Sequence, residues 1–168
     1  MVPSRGQSAF NALGIALVAA LALSSPAAAQ TRPTISQSSQ SAVGFQGGVS
    51  IDPEQVFAGV FWDSPPLGGR FSIRPGIDGG FGSDLRVATI NIDFLARFPI
   101  GNSGWSFVQG AGPVIVITKI PALDLSDTSA GGSYIIGFGH DSGFFSEFRI
   151  GGGNIPSLKI GAGYQLKF

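Results

Sequence analysis

The residues best suited to catalysis lie in one short segment of the chain. His140 is the only histidine, Ser142 follows two positions later, and Glu147 lies nearby. A serine nucleophile, a histidine base and an acid that orients the histidine form the set used in acyl transfer. A hydrolase that uses these three side chains is therefore one hypothesis for this protein.

The residues around this segment favour a turn over an active site. Gly139 and Gly143 flank the residues 140–142, and the apolar faces on either side match when Phe138 pairs with Phe144. This pairing predicts a three-residue hairpin loop between two strands. We therefore interpret the segment as a loop and expect no catalytic residue in the chain.

Metal and cofactor chemistry has little support in the sequence. With one histidine and no cysteine, only scattered carboxylates remain as ligands. Asp124 and Asp127 could contact Ca²⁺ but are more typical of a solubilising loop. The glycines at Gly79-Gly80 and 151–153 indicate turns, and neither group begins a helix, so neither predicts a phosphate loop. We expect no bound metal and no cofactor.

Charged residues recur at alternate positions along several apolar segments. Because a strand sends successive side chains to opposite faces, these residues share one polar face. The eight that we expect to form a charge network are Arg74, Asp78, Asp93, Arg97, Glu147, Arg149, Lys159 and Lys167. Their signs are mixed, as buried charges require. Glycine is frequent on the same face, where it would make room for long arginine and lysine side chains inside a narrow barrel.

The period-2 alternation extends over most of the chain and defines about eight strands of roughly nine to eleven residues, the length that a tilted strand needs to cross a bilayer. No window has a helical period. The predicted strands are Val43–Ile51, Gln55–Trp62, Arg70–Asp78, Arg86–Phe98, Trp105–Thr118, Ser133–Phe138, Phe144–Ile150 and Ser157–Phe168. The longest predicted loop is Lys119–Ala130. An even number of antiparallel strands places both ends of a closed barrel on one side.

The same alternation fits two barrels of opposite polarity. A soluble barrel turns its apolar face inward, whereas a membrane barrel turns it towards lipid. Here the apolar face carries almost no charge, and the mean hydropathy of the chain is +0.31. Aromatic residues lie mostly near strand ends, where interfacial girdles occur; they are Trp62, Trp105, Tyr134, Tyr164 and Phe168. The sequence therefore predicts the membrane polarity.

The first 29 residues have the pattern of a secretory signal peptide. Arg5 precedes an apolar run at 12–23, and Ala27-Ala28-Ala29 supplies small residues for cleavage after Ala29. The run is too short to span a membrane as a helix. Residues 30–42 are polar and lack periodicity, which predicts a flexible lead-in before a barrel domain at 43–168.

The last predicted strand ends on an aromatic residue with two further apolar residues on the same face. This pattern of Tyr164, Leu166 and Phe168 resembles the C-terminal signature of bacterial outer-membrane β-barrels. The resemblance implies that the barrel-assembly machinery recognises this strand. Over Val43–Phe168 the chain resembles small barrels of the OmpA/OmpX and opacity type, which implies a Gram-negative outer membrane, contact with lipid and lipopolysaccharide, and a structural or surface-interaction role.

Two alternatives come from weaker resemblances. The His140, Ser142 and Glu147 set is similar to that of the lipid A 3-O-deacylases, although Gly143 stands where that family has asparagine. A secreted lipocalin-like carrier of a hydrophobic ligand is the other alternative. Gly104-Trp105 is similar to the lipocalin Gly-x-Trp element, but the two residues are adjacent and lie in the middle of the chain.

The favoured fold is all-β: a closed antiparallel up-and-down eight-stranded transmembrane β-barrel, preceded by a signal peptide. Because eight strands enclose just enough space for side chains, a lumen filled with charged residues leaves no large pore. We expect the loop at Lys119–Ala130 to be extracellular and available to a partner. The net charge is zero and no basic run occurs, so nucleic acid is not an expected partner. We also expect no peptidoglycan-binding domain.

Overall fold

A computed structural model describes residues 40–82, 85–120 and 125–168. The predicted signal peptide and most of the polar lead-in lie outside the described residues. The strands are β1 (Ala42–Ile51), β2 (Glu54–Asp63), β3 (Phe71–Phe81), β4 (Arg86–Pro99), β5 (Trp105–Ile120), β6 (Leu125–His140), β7 (Phe144–Gly153) and β8 (Leu158–Lys167).

The eight strands form one closed antiparallel barrel. Each strand pairs with the next along the chain, and β1 pairs with β8 from Ala42↔Lys167 to Ser50↔Lys159. The predicted up-and-down closed barrel is therefore confirmed. Across the part of the chain that the structure describes, there is no helix with the length and apolar character required to cross a membrane.

Polar side chains point into the barrel and apolar side chains point out. In β1, Gln46 and Ser50 are buried while Phe45 and Val49 are exposed. The alternation continues around the barrel, and it follows from the two-residue period of a strand. A soluble barrel buries its apolar face, so this barrel has the opposite polarity.

Two strands are longer than the sequence predicted. β5 and β6 each contain 16 residues, and their ladder continues to Ile120↔Leu125. The predicted loop at Lys119–Ala130 is therefore wrong: only residues 121–124 separate the strands, and those residues lie outside the described ranges. β6 pairs with β7 only from Gly131 onwards. The first residues of β6 are mainly polar because they extend beyond the apolar band of the barrel. The apolar alternation therefore stops there, although the hydrogen-bonded ladder with β5 continues.

Glycines predicted to form turns lie inside strands instead. β3 continues through Gly79 and Gly80 to Phe81, and β7 continues to Gly153. Small residues weaken a strand in isolation. Here pairing with neighbours on both sides holds them extended, since Gly79 faces Ala58 on β2 and Ala88 on β4.

Two prolines explain local gaps in the ladders. The pairing of β2 with β3 ends at Phe61↔Gly76, directly before Pro75. The pairing of β4 with β5 is interrupted between Asn91↔Val114 and Phe94↔Ala111, at the position of Pro113. A proline has no N–H to donate to a ladder, so each gap is the expected local cost.

The β6–β7 hairpin has a different register from the predicted one. Phe138 lies opposite Ser146, not Phe144, and the loop consists of residues 141–143. The reason is Gly143, which adopts a φ of 103° and donates its N–H to His140 O at 2.9 Å. This left-handed glycine closes a three-residue loop, and it therefore belongs to the turn.

We expect Gly143→Ala to destabilise the barrel by about 2 kcal/mol, because alanine is strained at positive φ and its Cβ would also contact Gln165 O and the Tyr164 ring. Gly68→Ala is the matched control: Gly68 has a φ of 62° but no heavy atom within 4 Å of the added Cβ. Gly68→Ala should lower the free energy of unfolding only by the cost of an alanine at positive φ, about 1 kcal/mol. Urea unfolding in lipid vesicles measures both, and equal losses would show that the contacts at Gly143 do not matter.

The two ends of the barrel differ in composition. We call the end at which β1 begins and β8 ends the terminal end, and the opposite one the distal end. Outward aromatic residues cluster near the terminal end: Phe45, Trp62, Phe71, Trp105, Phe138, Phe144 and Tyr164. The distal half is mainly aliphatic on its outward face: Val49, Ile51, Val56, Ile77, Ile90, Ile115, Ile117 and Ile150.

Candidate functional site

The candidate site is the barrel interior, where charged side chains from five of the described strands form ion pairs. Glu147 on β7 is the central residue, because it accepts from Arg74 on β3 at 3.0 Å and from Arg149 on its own strand at 3.3 Å. All three side chains are buried. Alternation along each strand directs these residues inward, so the strand period itself brings them together.

Towards the terminal end, the carboxylate of Asp63 accepts hydrogen bonds from two arginines. Arg74 donates to Asp63 Oδ2 from Nη2 at 3.0 Å and to Oδ1 from Nε at 3.3 Å. Arg97 donates to the same Oδ2 at 2.6 Å. The sequence interpretation ended the second strand at Trp62 and missed Asp63 as a site residue. The inward alternation of β2, extended by one step beyond Phe61, places it in the lumen.

Arg149 forms the best aligned pair in the interior. Its Nη1 and Nη2 donate to the two oxygens of Asp93, each at 2.8 Å. Asp93 is completely buried and also accepts from Asn91 Nδ2 at 2.8 Å. Two parallel charge-assisted bonds of this kind are the strong form of an arginine–carboxylate contact. Removal of Arg149 would leave a buried carboxylate without its cation.

A second cluster joins β1, β3, β4 and β8. Lys159 Nζ donates to Asp78 Oδ2 at 3.3 Å and to Thr89 Oγ1 at 3.4 Å. Gln46 Nε2 donates to the other oxygen of Asp78 at 2.6 Å. These bonds tie strands across the lumen as well as along the wall.

The interior charges balance. Of the eight residues predicted for the network, the structure brings seven together inside the barrel, and Lys167 is the exception. Lys167 is exposed at the terminal end, where it donates to Asp141 O at 3.1 Å. With Asp63 included, the described residues place four cations and four carboxylates in the lumen; they are Arg74, Arg97, Arg149, Lys159, Asp63, Asp78, Asp93 and Glu147.

Phenylalanine rings fill the space over the interior glycines. A Cβ at Gly44 would enter the ring of Phe61, and one at Gly163 would approach the Phe145 ring at 2.7 Å. The Arg74 guanidinium lies 4.2 Å from the centroid of Phe61 and 5.5 Å from that of Phe145. The prediction that glycine makes room for arginine and lysine is therefore wrong at these positions, since the rings occupy that space and support the arginine.

Apolar side chains also occupy the lumen, in two groups of buried residues on β4, β5 and β6. The group nearer the distal end consists of Val87, Val114 and Val116, with Leu85 and Ile155 packed against it. The group nearer the terminal end consists of Leu95, Val108 and Ile135. Together with the ion pairs, these apolar side chains fill the narrow interior of an eight-stranded barrel.

Of the two contacts that the catalytic hypothesis requires, the structure has the one between His140 and Ser142 but not the one between His140 and Glu147. His140 Nδ1 lies 2.8 Å from Ser142 Oγ and accepts the Ser142 N–H at 3.1 Å. Both residues lie at the terminal end, where His140 is half-buried and Ser142 is exposed. Glu147 is buried in the ion network and bonds to Arg74 and Arg149, so it does not orient His140. Among the described residues there is no group of three histidine or acidic side chains that could hold a metal ion.

The predicted assembly residues share one outward face at the terminal end. Tyr164 and Leu166 on β8 and Phe168 after it are exposed. Tyr164 contacts Phe45 of β1, with ring centroids 6.3 Å apart. Tyr134, which the sequence grouped with the strand-end aromatics, lies inside β6 and donates from its hydroxyl to Gln109 Oε1 at 3.1 Å.

A closed eight-stranded barrel with a charged interior and an apolar exterior has the architecture of the small outer-membrane β-barrels. The N-terminal β-barrel domain of Pseudomonas aeruginosa OprF is similar in structure, with a TM-score of 0.62 over 77% of this chain and 98% of that chain, at 11% sequence identity. Ail, the attachment invasion locus protein of Yersinia pestis, aligns over 76% of this chain and 97% of that chain with a TM-score of 0.43 and 13% identity. No protein-family model and no curated protein matches the sequence.

Proposed function

We propose that this protein is an integral outer-membrane β-barrel with a structural or surface-interaction role. The observation that carries the proposal is its polarity: Asp93, Arg149 and Glu147 are buried while Phe94, Phe148 and Ile150 beside them are exposed. Apolar side chains of that size gain nothing in water, and they are favoured against hydrocarbon. The likeness in fold to the OprF barrel supports the same environment.

The proposed barrel does not act as a large pore. Its lumen contains balanced ion pairs and two groups of apolar side chains, and an eight-stranded barrel is just wide enough for such filling. A selective ion channel needs a net charge or a ring of like charges in its wall, whereas here four cations pair with four carboxylates.

The orientation of the barrel in the membrane follows from the side on which the strand array begins and ends. With both ends of the strand array on the periplasmic side, the distal end faces outward, and outer-membrane lipid and lipopolysaccharide surround the apolar band. The barrel-assembly machinery would engage β8 through Tyr164, Leu166 and Phe168. The distal β5–β6 hairpin, which replaces the predicted loop at Lys119–Ala130, is available to an extracellular partner.

A lipid-modifying enzyme is not the function we propose. His140 and Ser142 lie at the terminal end, which would face away from lipid A, and the Glu147 carboxylate is held by two arginines. A soluble carrier is not proposed either, because such a barrel binds its ligand in an apolar interior.

The proposal predicts two results for the protein reconstituted in phosphatidylcholine vesicles. Unboiled protein should migrate differently from boiled protein in SDS, because every strand is paired within a closed barrel and resists the detergent until heated. Planar bilayers that contain the protein should show no large steady conductance. A protein that folds in buffer without lipid or detergent and shows no shift on boiling would contradict the membrane assignment, and a large open channel would contradict the closed lumen.

A further inference from the structure

The outward face of the barrel carries an amide side chain inside the apolar band. Gln109 on β5 has the same strand phase as the exposed Trp105, Ile115 and Ile117, whereas Val108 beside it is buried in the lumen. It lies four positions from Trp105, which is about 13 Å along the strand. The isoleucines continue the same face towards the distal end, so Gln109 is remote from both edges of the band. Among the outward residues of the described strands it is the only amide.

The hydrogen bonding of this amide is incomplete. Tyr134 on β6 also points outward, since Ile135 beside it is completely buried, and its hydroxyl donates to Gln109 Oε1 at 3.1 Å. Among residues 40–82, 85–120 and 125–168, no group accepts a hydrogen bond from Gln109 Nε2. Acyl chains offer no acceptor, and an amide in hydrocarbon without a hydrogen bond is costly. The free N–H groups of Gln109 therefore favour a polar partner within the membrane.

The outward surface on the distal side of this amide is made of small residues. Pro113 on β5 pairs with Gly132 on β6, and Gly132 pairs with Gly152 on β7. A Cβ added at either glycine would have only a backbone oxygen within 4 Å, so no side chain covers this surface. Larger exposed side chains lie on its two sides, Phe94 on β4 and Ile150 on β7. Small residues of this kind let two membrane-embedded backbones approach each other closely.

We infer that two copies of this protein associate in the membrane through an outward face that we call the β5–β6 patch; its residues are Gln109, Ala111, Pro113, Gly132 and Tyr134. Gln109 Oε1 keeps a second lone pair beside the one that Tyr134 uses, so the Gln109 amides of two copies can pair reciprocally about a twofold axis. A second copy is favoured over lipid because acyl chains cannot accept from Nε2. The inference rests on the proposed membrane function, because Gln109 lacks water only if the barrel crosses a bilayer.

Cross-linking in phosphatidylcholine vesicles tests the inference, because the chain contains no cysteine. A short bismaleimide reagent should join two copies of the Ala111→Cys variant, and the cross-linked fraction should rise with the protein-to-lipid ratio. Ala58→Cys places the thiol at an outward alanine of β2 and should not be joined. Adding Gln109→Leu to Ala111→Cys should weaken the dimer on the order of 10-fold, since each of the two hydrogen bonds lost contributes about a threefold factor.

A steric variant tests the close approach of the two backbones. Gly132→Trp, added to Ala111→Cys, should abolish the cross-link because the indole holds the two barrels apart. Gly47→Trp is the matched control on the outward face of β1, where an added Cβ also has only a backbone oxygen within 4 Å. It should leave the cross-linked fraction unchanged.

Three results would overturn the inference. An Ala111→Cys protein that is never cross-linked would assign the β5–β6 patch to lipid, and equal cross-linking at Ala111→Cys and Ala58→Cys would mean random encounter. A dimer that neither Gln109→Leu nor Gly132→Trp weakens would form through another face. The boiling shift in SDS is recorded for every variant: a missing shift in the wild-type protein contradicts the membrane proposal, whereas a shifted monomer contradicts only the dimer. If Gln109→Leu loses the shift, Gly132→Trp decides.

Discussion

Replacement of Arg149 by methionine is expected to destabilise the barrel by about 3–5 kcal/mol, the cost of breaking a buried ion pair by removing one partner. The methionine keeps much of the volume but leaves Asp93 with no cation. Asp93 is completely buried, and its two oxygens each accept from Arg149 at 2.8 Å. Glu147 loses one of its two arginines as well. The lumen would then hold one uncompensated negative charge.

Urea unfolding in phosphatidylcholine vesicles measures this loss through the emission of Trp62 and Trp105, both of which face outward. Lys167→Met is the control, because it removes an exposed cation outside the network and should change the free energy of unfolding by less than about 0.5 kcal/mol. Arg149→Met/Asp93→Leu should recover part of the loss, since a pair replaced by apolar residues is often neutral. A loss below about 1 kcal/mol for Arg149→Met would mean that the pair is not buried in the folded protein.

Phe148→Arg is expected to destabilise the protein in vesicles by about 2–4 kcal/mol, the cost of a cation at the bilayer midplane on the lipid face of a barrel. Phe148 lies in the middle of β7 between Ile136 and Ile160, and its side chain is 47% exposed. In water, an arginine at such an exposed position would cost almost nothing. The substitution therefore measures the environment of the exterior rather than the packing of the interior.

Ile51→Arg is the matched control for Phe148→Arg. Ile51 is the last residue of β1 and is 51% exposed, so it differs from Phe148 mainly in its distance from the middle of the barrel. Near an interface the same cation costs about 0–1 kcal/mol. Vesicle unfolding of both variants gives the comparison, and equal small losses would remove the polarity argument for a membrane location.

The sequence was sufficient to predict the barrel because polar and apolar residues alternate along most of its strands. In β1, Phe45 and Val49 point outward and Gln46 points inward, as the alternation requires. The pattern fails in the first part of β6. The residues Ser126 to Ser129 are polar on both faces, yet they pair with β5. A strand that stands in water on both sides has no apolar period to detect.

The sequence predicted that charged residues form a network in the lumen, but it did not predict which residues pair. Arg74, Asp93 and Arg149 were expected in the lumen, and alternation alone puts them there. Alternation does not identify partners, because a partner depends on the register and shear of the closed barrel. Asp63 was missed because the predicted second strand ended one residue before it, and Lys167 was included although its side chain is exposed at the terminal end.

The phenylalanines Phe57 and Phe61 show a further limit. Both break the simple rule that apolar residues face outward, and both are buried in the lumen. Their rings fit because Gly161 on β8 and Gly44 on β1 lie beneath Phe57 and Phe61, respectively. A complementary pair of this kind is visible in a sequence only when the neighbouring strand and its register are already known.

The pairing of β1 with β8 has a consequence for the rate at which the protein folds. Seven of the eight strand contacts join neighbours along the chain and close as local hairpins. The eighth joins Ala42 to Lys167, at opposite ends of the described sequence. Contacts between distant segments form slowly, because the loop entropy is lost before the ladder forms. Until β8 arrives, β1 and β7 each keep an open edge, so barrel closure is the slow step and the period in which the chain most needs protection from aggregation.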